Sequence, residues 1–207
     1  MAKKVRKSKL RNEASYVYSG LTFLLMPEMI KNMIGRPMDD YLYDKVYGPI
    51  GASELIYNPL ERISIDRIVP TEYDSVWRHE QVHGTVHDEA AAMLGGVSCN
   101  AGLFGSAESL SRLFQLYLNE GLWDGQEVIP SEAVREFTSY QYKDNRRGLG
   151  FDKPLREYDE ALAYVAKDAS PESYGHSGFT GTMRCAFVLH KIGVFRSQSL
   201  SVGVWTK

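Results

Sequence analysis

The sequence predicts an α+β fold in which a helical middle is followed by antiparallel strands, and three observations carry that prediction. In the middle, apolar residues recur at helical spacing between glycine stops, most clearly Leu110, Leu113, Phe114, Tyr117 and Leu118 ahead of Gly121. The last third turns to β-branched and aromatic residues, over 187–189 and 193–204. Those strands run consecutively instead of alternating with helices, which argues against βαβ units. The 207 residues are 43 % hydrophobic and 24 % charged, the composition of a chain that folds around a core.

Each element has its own signal. The opening MAKKVRKSKLR is basic, but polar NEAS follows where an export signal would need an apolar run, so 1–17 reads as a solvated lead-in without a signal peptide. Leu21, Leu24, Leu25, Met29, Ile30, Met33 and Ile34 predict a helix over 21–34 with Gly35 as its C-terminal cap. Pro37 at the first helical position opens a second, with Met38, Leu42 and Val46 turned inward and Gly48-Pro49 as its stop. Residues 53–86 sustain no period and contain Pro59 and Pro70, which predicts a long surface excursion. Asp88 is placed to cap a helix over 89–94 that Gly95-Gly96 ends, and Ser106 begins the clearest helix of the chain. Ser131 is expected to cap a helix through Phe137, and Arg147-Gly148-Leu149-Gly150-Phe151 to turn into a strand.

Composition also excludes function classes. Twenty-four Lys and Arg against 26 Asp and Glu leave a net charge of −2, so no basic field points to nucleic acid. No stretch approaches the ~20 apolar residues of a membrane span; the longest candidate, 21–30, is broken by Pro27 and Glu28. Cys99 and Cys185 are too few for a disulfide scaffold and lack zinc-ribbon spacing.

Three local motifs invite chemistry. His79-Glu80-Gln81-Val82-His83 satisfies H-E-x-x-H, which on a helix puts two zinc ligands beside a general-base glutamate. A zinc peptidase through His79, Glu80 and His83 is thus one alternative, but Gly84, Thr85 and Val86 do not favour the helix it needs. His87-Asp88 resembles a dyad on paper, yet sequence neighbours seldom face each other and Asp88 is better used as a cap. Cys99 has no visible group to lower its pKa and reads as a small buried residue.

A fourth signal is distributed. Tyr18-Ser19-Gly20-Leu21-Thr22-Phe23, the segment 84–96, the segment 101–107, and Gly175-His176-Ser177-Gly178-Phe179-Thr180-Gly181-Thr182 occur in an order that resembles the serine β-lactamase-related family. The likeness is to its class C and esterase-like branch, related to penicillin-binding proteins, and runs over about residues 9 to 183. The resemblance implies a partial β-lactamase/transpeptidase-like fold and acyl transfer from a β-lactam, an ester or a cell-wall peptide amide through an acyl-enzyme. It implies Tyr18 as general base and the backbone N–H of Phe179 as an oxyanion donor. Ser19, His176, Ser177 and Gly178 would bind substrate, His176 being able to donate to Tyr18 or to a substrate carboxylate. No cofactor and no metal is called for, the expected partner is a small-molecule or cell-wall peptide substrate, and relatives are commonly exported in bacteria.

Three departures shape the expectation. No serine is followed three places on by lysine, so the family's S-x-x-K nucleophile motif does not occur in these residues; Ser8, Ser64 and Ser75 reach arginine instead. Gly20 stands where the family often has Asn, and 184–207 lacks the family's acidic-Pro turn and Asn-Arg pair. The expected organisation is a basic lead-in over 1–17, the C-terminal part of the family domain over 18–183, and an unmatched tail over 184–207. Such a chain is expected to be inactive alone and to self-associate through uncovered apolar surface. The alternative is a non-catalytic module that binds a cell-wall ligand or a partner.

Overall fold

The computed structural model describes residues 2–9, 12, 16–163 and 165–179, together with the backbone of 183–189 and 192–198. They fall into two compact units, one drawn from Met1–Gly48 and Ser53–Ser106 and the other from Pro49–Ala52 and Ala107–Val202. Among the described residues no helix is long and apolar enough to cross a membrane.

The first unit begins with α1, Ala2–Arg6, which buries nothing. Helix α2 spans Met26–Ile34 and ends at Gly35, whose φ of 75° lets its N–H reach the Lys31 carbonyl. That left-handed cap is nearly free of strain only for glycine. The helix starts later than its apolar pattern suggests, because Pro27 has no N–H to donate and belongs in a first turn. Residues 21–25 form turns instead. The apolar residues of 21–34 do not all turn inward: Leu24 is buried, but Met29 is 56 % and Met33 81 % exposed. Helix α3, Met38–Leu42, has Pro37 as its N-cap at φ −55° and ψ 144°, one place earlier than the first-turn position expected. It widens into a π-helical turn, Tyr43–Tyr47, and buries Met38 and Tyr47.

Residues 53–86 are better ordered than a surface excursion. Ile56 and Phe104 exchange both backbone hydrogen bonds, at 3.0 and 2.8 Å, and Ile56 packs with Ile68, Tyr43, Ile63 and Phe104. Burying a side chain of this size contributes about 1.5–3 kcal/mol. Two 3₁₀ turns, Pro59–Glu61 and Ile65–Arg67, lead to a hairpin of β1, Tyr73–Asp74, and β2, Glu80–Gln81. No period is visible in sequence because isolated anchors on irregular backbone do the packing. Helix α4, Glu89–Ala92, is capped as expected: the Asp88 carboxylate accepts the Ala91 N–H at 2.7 Å.

The second unit is organised by α5, Ala107–Leu118, which buries Leu110, Leu113, Phe114 and Leu116. A tight hairpin joins β3, Leu122–Trp123, to β4, Gln126–Glu127. In α6, Ser131–Thr138, the N-cap is Pro130, and Ser131 is the first helical residue. Its own N–H donates to Glu127 Oε1 at 3.1 Å, so a carboxylate from β4 satisfies the helix start that Ser131 was expected to cap. The chain then forms an antiparallel sheet in the order β5-β6-β7, from Tyr174–Ser177, Met183–Leu189 and Ile192–Gln198. Helices followed by antiparallel strands give the α+β class expected. The expectations on 180–182 and 199–207 lie outside the described residues.

What places β5 is an aromatic ladder. Phe114 meets Tyr117, Tyr117 meets Phe151, and Phe151 meets Tyr174, each edge to face, with ring centroids 6.2, 5.6 and 5.3 Å apart. Each such pair adds about 0.5–1.5 kcal/mol beyond its buried area. Helix, turn and strand are thereby held by one run of rings.

Candidate functional site

The predicted site residues fall in both units, and each group has its own surroundings. In the first unit, Tyr18 precedes the turns at 21–25 with 65 % of its surface exposed. The Ser19 hydroxyl accepts the Leu21 N–H at 3.3 Å, so this serine serves the local turn. Gly20 lies beside Asn100: a Cβ at position 20 would stand 3.5 Å from Asn100 Nδ2. The Ser98 hydroxyl donates to Asn100 Oδ1 at 2.5 Å, which leaves the amide N–H₂ facing Gly20. An amide therefore occupies the neighbourhood of Gly20, supplied from a different part of the chain.

The other candidates of this unit take structural roles. Glu80 and Gln81 form strand β2, not the helix that H-E-x-x-H requires, because a turn held by Asp74 precedes them. His79 sits at φ 55°, and Tyr73 donates to its carbonyl at 2.8 Å. His83 Nε2 lies 2.5 Å from the Ile68 carbonyl, so this nitrogen carries the proton and is not a ligand lone pair. Among the described residues no three His, Cys, Asp or Glu side chains gather as a metal site. The one helical face that the zinc peptidase alternative needs for His79, Glu80 and His83 is thus not formed here. His87 Nε2 faces Glu72 Oε1 at 2.6 Å instead of forming a dyad with Asp88. Burial raises the Cys99 thiol pKa, and its Sγ lies 3.3 Å from Met38 Sδ, the surroundings of a packing residue and not of a nucleophile.

In the second unit the His176 motif closes β5. Gly175 exchanges two backbone hydrogen bonds with Asp152, at 2.7 and 2.9 Å, on the edge opposite β6. Backbone direction alternates along a strand, so Ser177 presents its N–H and C=O to that same edge. Ser177 and Gly178 are exposed, and Phe179 is 90 % exposed just past the strand end. The His176 ring is half-buried, with Nδ1 2.6 Å from the Ser177 carbonyl and Nε2 3.5 Å from Arg147 Nη1.

The sequence reading missed what stands behind this edge. Asp152, 3 % exposed, forms an ion pair with Arg147 and lies 3.6 Å from Arg146 Nε. Arg147 and Asp152 face each other as a bridge across the Gly148-Gly150 turn, which then joins Gly175. Two arginines opening a glycine turn with an aspartate five residues on are visible in sequence, but only the docking of that turn beside β5 makes them neighbours of His176. Lys153 is also buried, its Nζ donating to the Ser173 carbonyl at 3.2 Å and lying 4.9 Å from the Tyr140 ring centroid. Burial pushes its pKa down to about 8, with the Glu172 carboxylate offsetting part of the shift.

Comparison with known proteins gives this arrangement a context. The model of the family described as Beta-lactamase matches residues 1–199. Two Escherichia coli proteins, from strain K12 and from O157:H7, each named "Putative D-alanyl-D-alanine carboxypeptidase", are 30 % identical to the chain over 182 residues. A Salmonella enteritidis protein of the same name is 29 % identical over 182 residues. These matches cover 82 % of the chain and 42 % of each relative, so the chain spans less than half the length of the curated proteins it resembles.

Proposed function

The chain belongs to the beta-lactamase family, and on that premise we propose that it forms the substrate-binding part of a serine hydrolase acting on a cell-wall peptide that ends in D-alanine. The observation that carries this reading is the family match over residues 1–199, which takes in both the Tyr18 and the His176 motifs. The reaction is acyl transfer through an acyl-enzyme, with a β-lactam or an ester as the other acyl donors. Tyr18 is the proposed general base, a role in which a phenol is helped by nearby positive charge. Ser19, His176, Ser177 and Gly178 bind the substrate, and the Phe179 N–H polarises its carbonyl at the open end of β5. The proposed organisation keeps 1–17 as a lead-in, 18–183 as the family domain and 184–207 as a tail.

The 207 residues contain no S-x-x-K, so the chain by itself is proposed to bind without turnover. That observation equally favours the second reading, a module that binds cell-wall peptide without catalysis. Incubation with a chromogenic β-lactam, an activated ester and a D-alanyl-D-alanine peptide tests both. The expected result is peptide binding, read as NMR shifts at Tyr18 and His176, with no product; turnover lost in Tyr18→Phe would overturn the inactivity. Turnover restored when the chain is combined with a family segment carrying S-x-x-K separates the enzyme part from the module.

Self-association belongs to the same reading. Met29, Met33 and Ile34 place 56 %, 81 % and 38 % of their surfaces in solvent on one short helix. Sedimentation should show a concentration-dependent oligomer that Met33→Glu weakens; a monomer at all concentrations counts against it.

A further inference from the structure

We infer that Arg147 is a positioning residue for His176, fixing its ring as the neutral tautomer with the proton on Nδ1. The inference rests on the reading of β5 as a substrate-binding edge for its importance, but not for its geometry. Each ring nitrogen faces a group of fixed hydrogen-bonding character. His176 Nδ1 lies 2.6 Å from the Ser177 carbonyl, which can only accept, so Nδ1 carries a proton. His176 Nε2 lies 3.5 Å from Arg147 Nη1, and a guanidinium can only donate, so Nε2 presents its lone pair. Both contacts therefore select one tautomer. It is the reverse of the form that a neutral imidazole favours in water, where the proton sits mainly on Nε2. A proton on Nε2 would point at a cation and turn a second lone pair toward the carbonyl.

Arg147 can impose this because it is itself held. Its guanidinium is paired with buried Asp152, and its N–H donates to Asn145 Oδ1 at 2.9 Å. Its carbonyl accepts from the Gln141 N–H at 3.0 Å. Asp152 is tied to Gly175 through both backbone bonds, so side chain and backbone form a closed circuit from Arg147 through Asp152 and Gly175 to His176. Arg146 also lies against Asp152, so two guanidiniums share one carboxylate. The cation behind the His-Ser-Gly edge is thus an arginine that stays charged. In this tautomer the imidazole's Nδ1 proton is taken up by the Ser177 carbonyl and its Nε2 carries a lone pair. Its work is to hold the Ser177 carbonyl through Nδ1–H and so set the backbone of the edge that leads to Phe179.

The test is the tautomer, read on the full chain with ¹⁵N-labelled histidine at about pH 8.5, above the ordinary imidazole range, with His176→Gln assigning the signals. Long-range ¹H–¹⁵N correlations should give a pyrrole-like Nδ1 and a pyridine-like Nε2 for His176. Arg147→Met should invert the two shifts, and Arg147→Lys, which restores a donor cation, should return them. A wild-type ring with its proton on Nε2, or an Arg147→Met variant with unchanged shifts, overturns the inference. Should Arg147→Met fail to fold around an unpaired Asp152, Arg147→Met with Asp152→Asn removes both charges and reads the same inversion. None of these spectra depends on turnover. A chain that neither binds nor cleaves D-alanyl peptides leaves the tautomer standing, and the reverse tautomer leaves the peptide reading standing.

Discussion

Lys153 donates to the carbonyl oxygen of Ser173 at 3.2 Å, so a lysine only 3 % exposed is capped by backbone instead of by a carboxylate. Folding weakens its hold on the proton, with the pKa at about 8 in the folded chain. Between pH 8 and the ordinary lysine range the unfolded chain binds more protons, so stability rises with pH through that window. Urea midpoints should increase from about pH 7.5 to about pH 9.5. Lys153→Met should flatten this rise. Above the ordinary tyrosine range the slope reverses, because burial raises the pKa of Tyr174 and the unfolded chain then loses protons first.

The acid limb should depend on Asp74. Its carboxylate accepts the Trp77 and Val76 N–H groups at 2.9 Å and the Arg78 N–H at 3.1 Å, and pairs with the Arg78 guanidinium at 3.3 Å. The Trp77 bond leads in lowering its pKa to about 2. Stability from this group is complete above the ordinary carboxylate pKa and is lost as pH falls through about 2. Asp74→Asn should destabilise the chain at neutral pH and remove this part of the acid dependence in a pH-resolved melting series.

Arg147 and Arg135 both sit in ion pairs, and their truncation should separate by burial. Removing Arg147 leaves the buried Asp152 carboxylate with the longer, 3.6 Å contact to Arg146 and should cost on the order of 3 kcal/mol. Arg135 and Glu120 are 60 % and 53 % exposed, so Arg135→Ala should cost about 0–1 kcal/mol. Chemical denaturation of the two alanine variants checks the order, and equal losses would contradict it.

The two helix starts offer a similar contrast. Asp88→Ala removes a side-chain cap and should cost about 1 kcal/mol. Ser131→Ala keeps the backbone N–H that Glu127 holds and should be nearly neutral, whereas Glu127→Ala should lose the cap. Melting temperatures of the three variants decide the assignment.

These contrasts show what could be read from sequence. Helix α5 was legible because one continuous face packs, and the Asp88 cap because its chemistry is local. The closing strands were legible from β-branched and aromatic content. The outward face of α2 was not, since an apolar stripe records the capacity to pack and not whether anything covers it. H-E-x-x-H misled for the same reason: its spacing presumes a helix, and Asp74 builds a turn at that point. Arg147 was read only as part of a turn, because its partners come from the docking of that turn against a strand far along the chain.

The run of rings from Phe114 to Tyr174 also bears on the order of assembly. Phe114 and Tyr117 share one helix and meet as soon as α5 forms, whereas Tyr174 must bring back a long intervening segment to reach Phe151. Closing that segment costs chain entropy before any ring contact rewards it. The end of β5 that carries His176 should therefore gain its amide protection late, after α5 is already shielded from exchange. A kinetic trap in this chain would then hold a formed helix and an unplaced strand end, and Phe151→Leu should lengthen its lifetime.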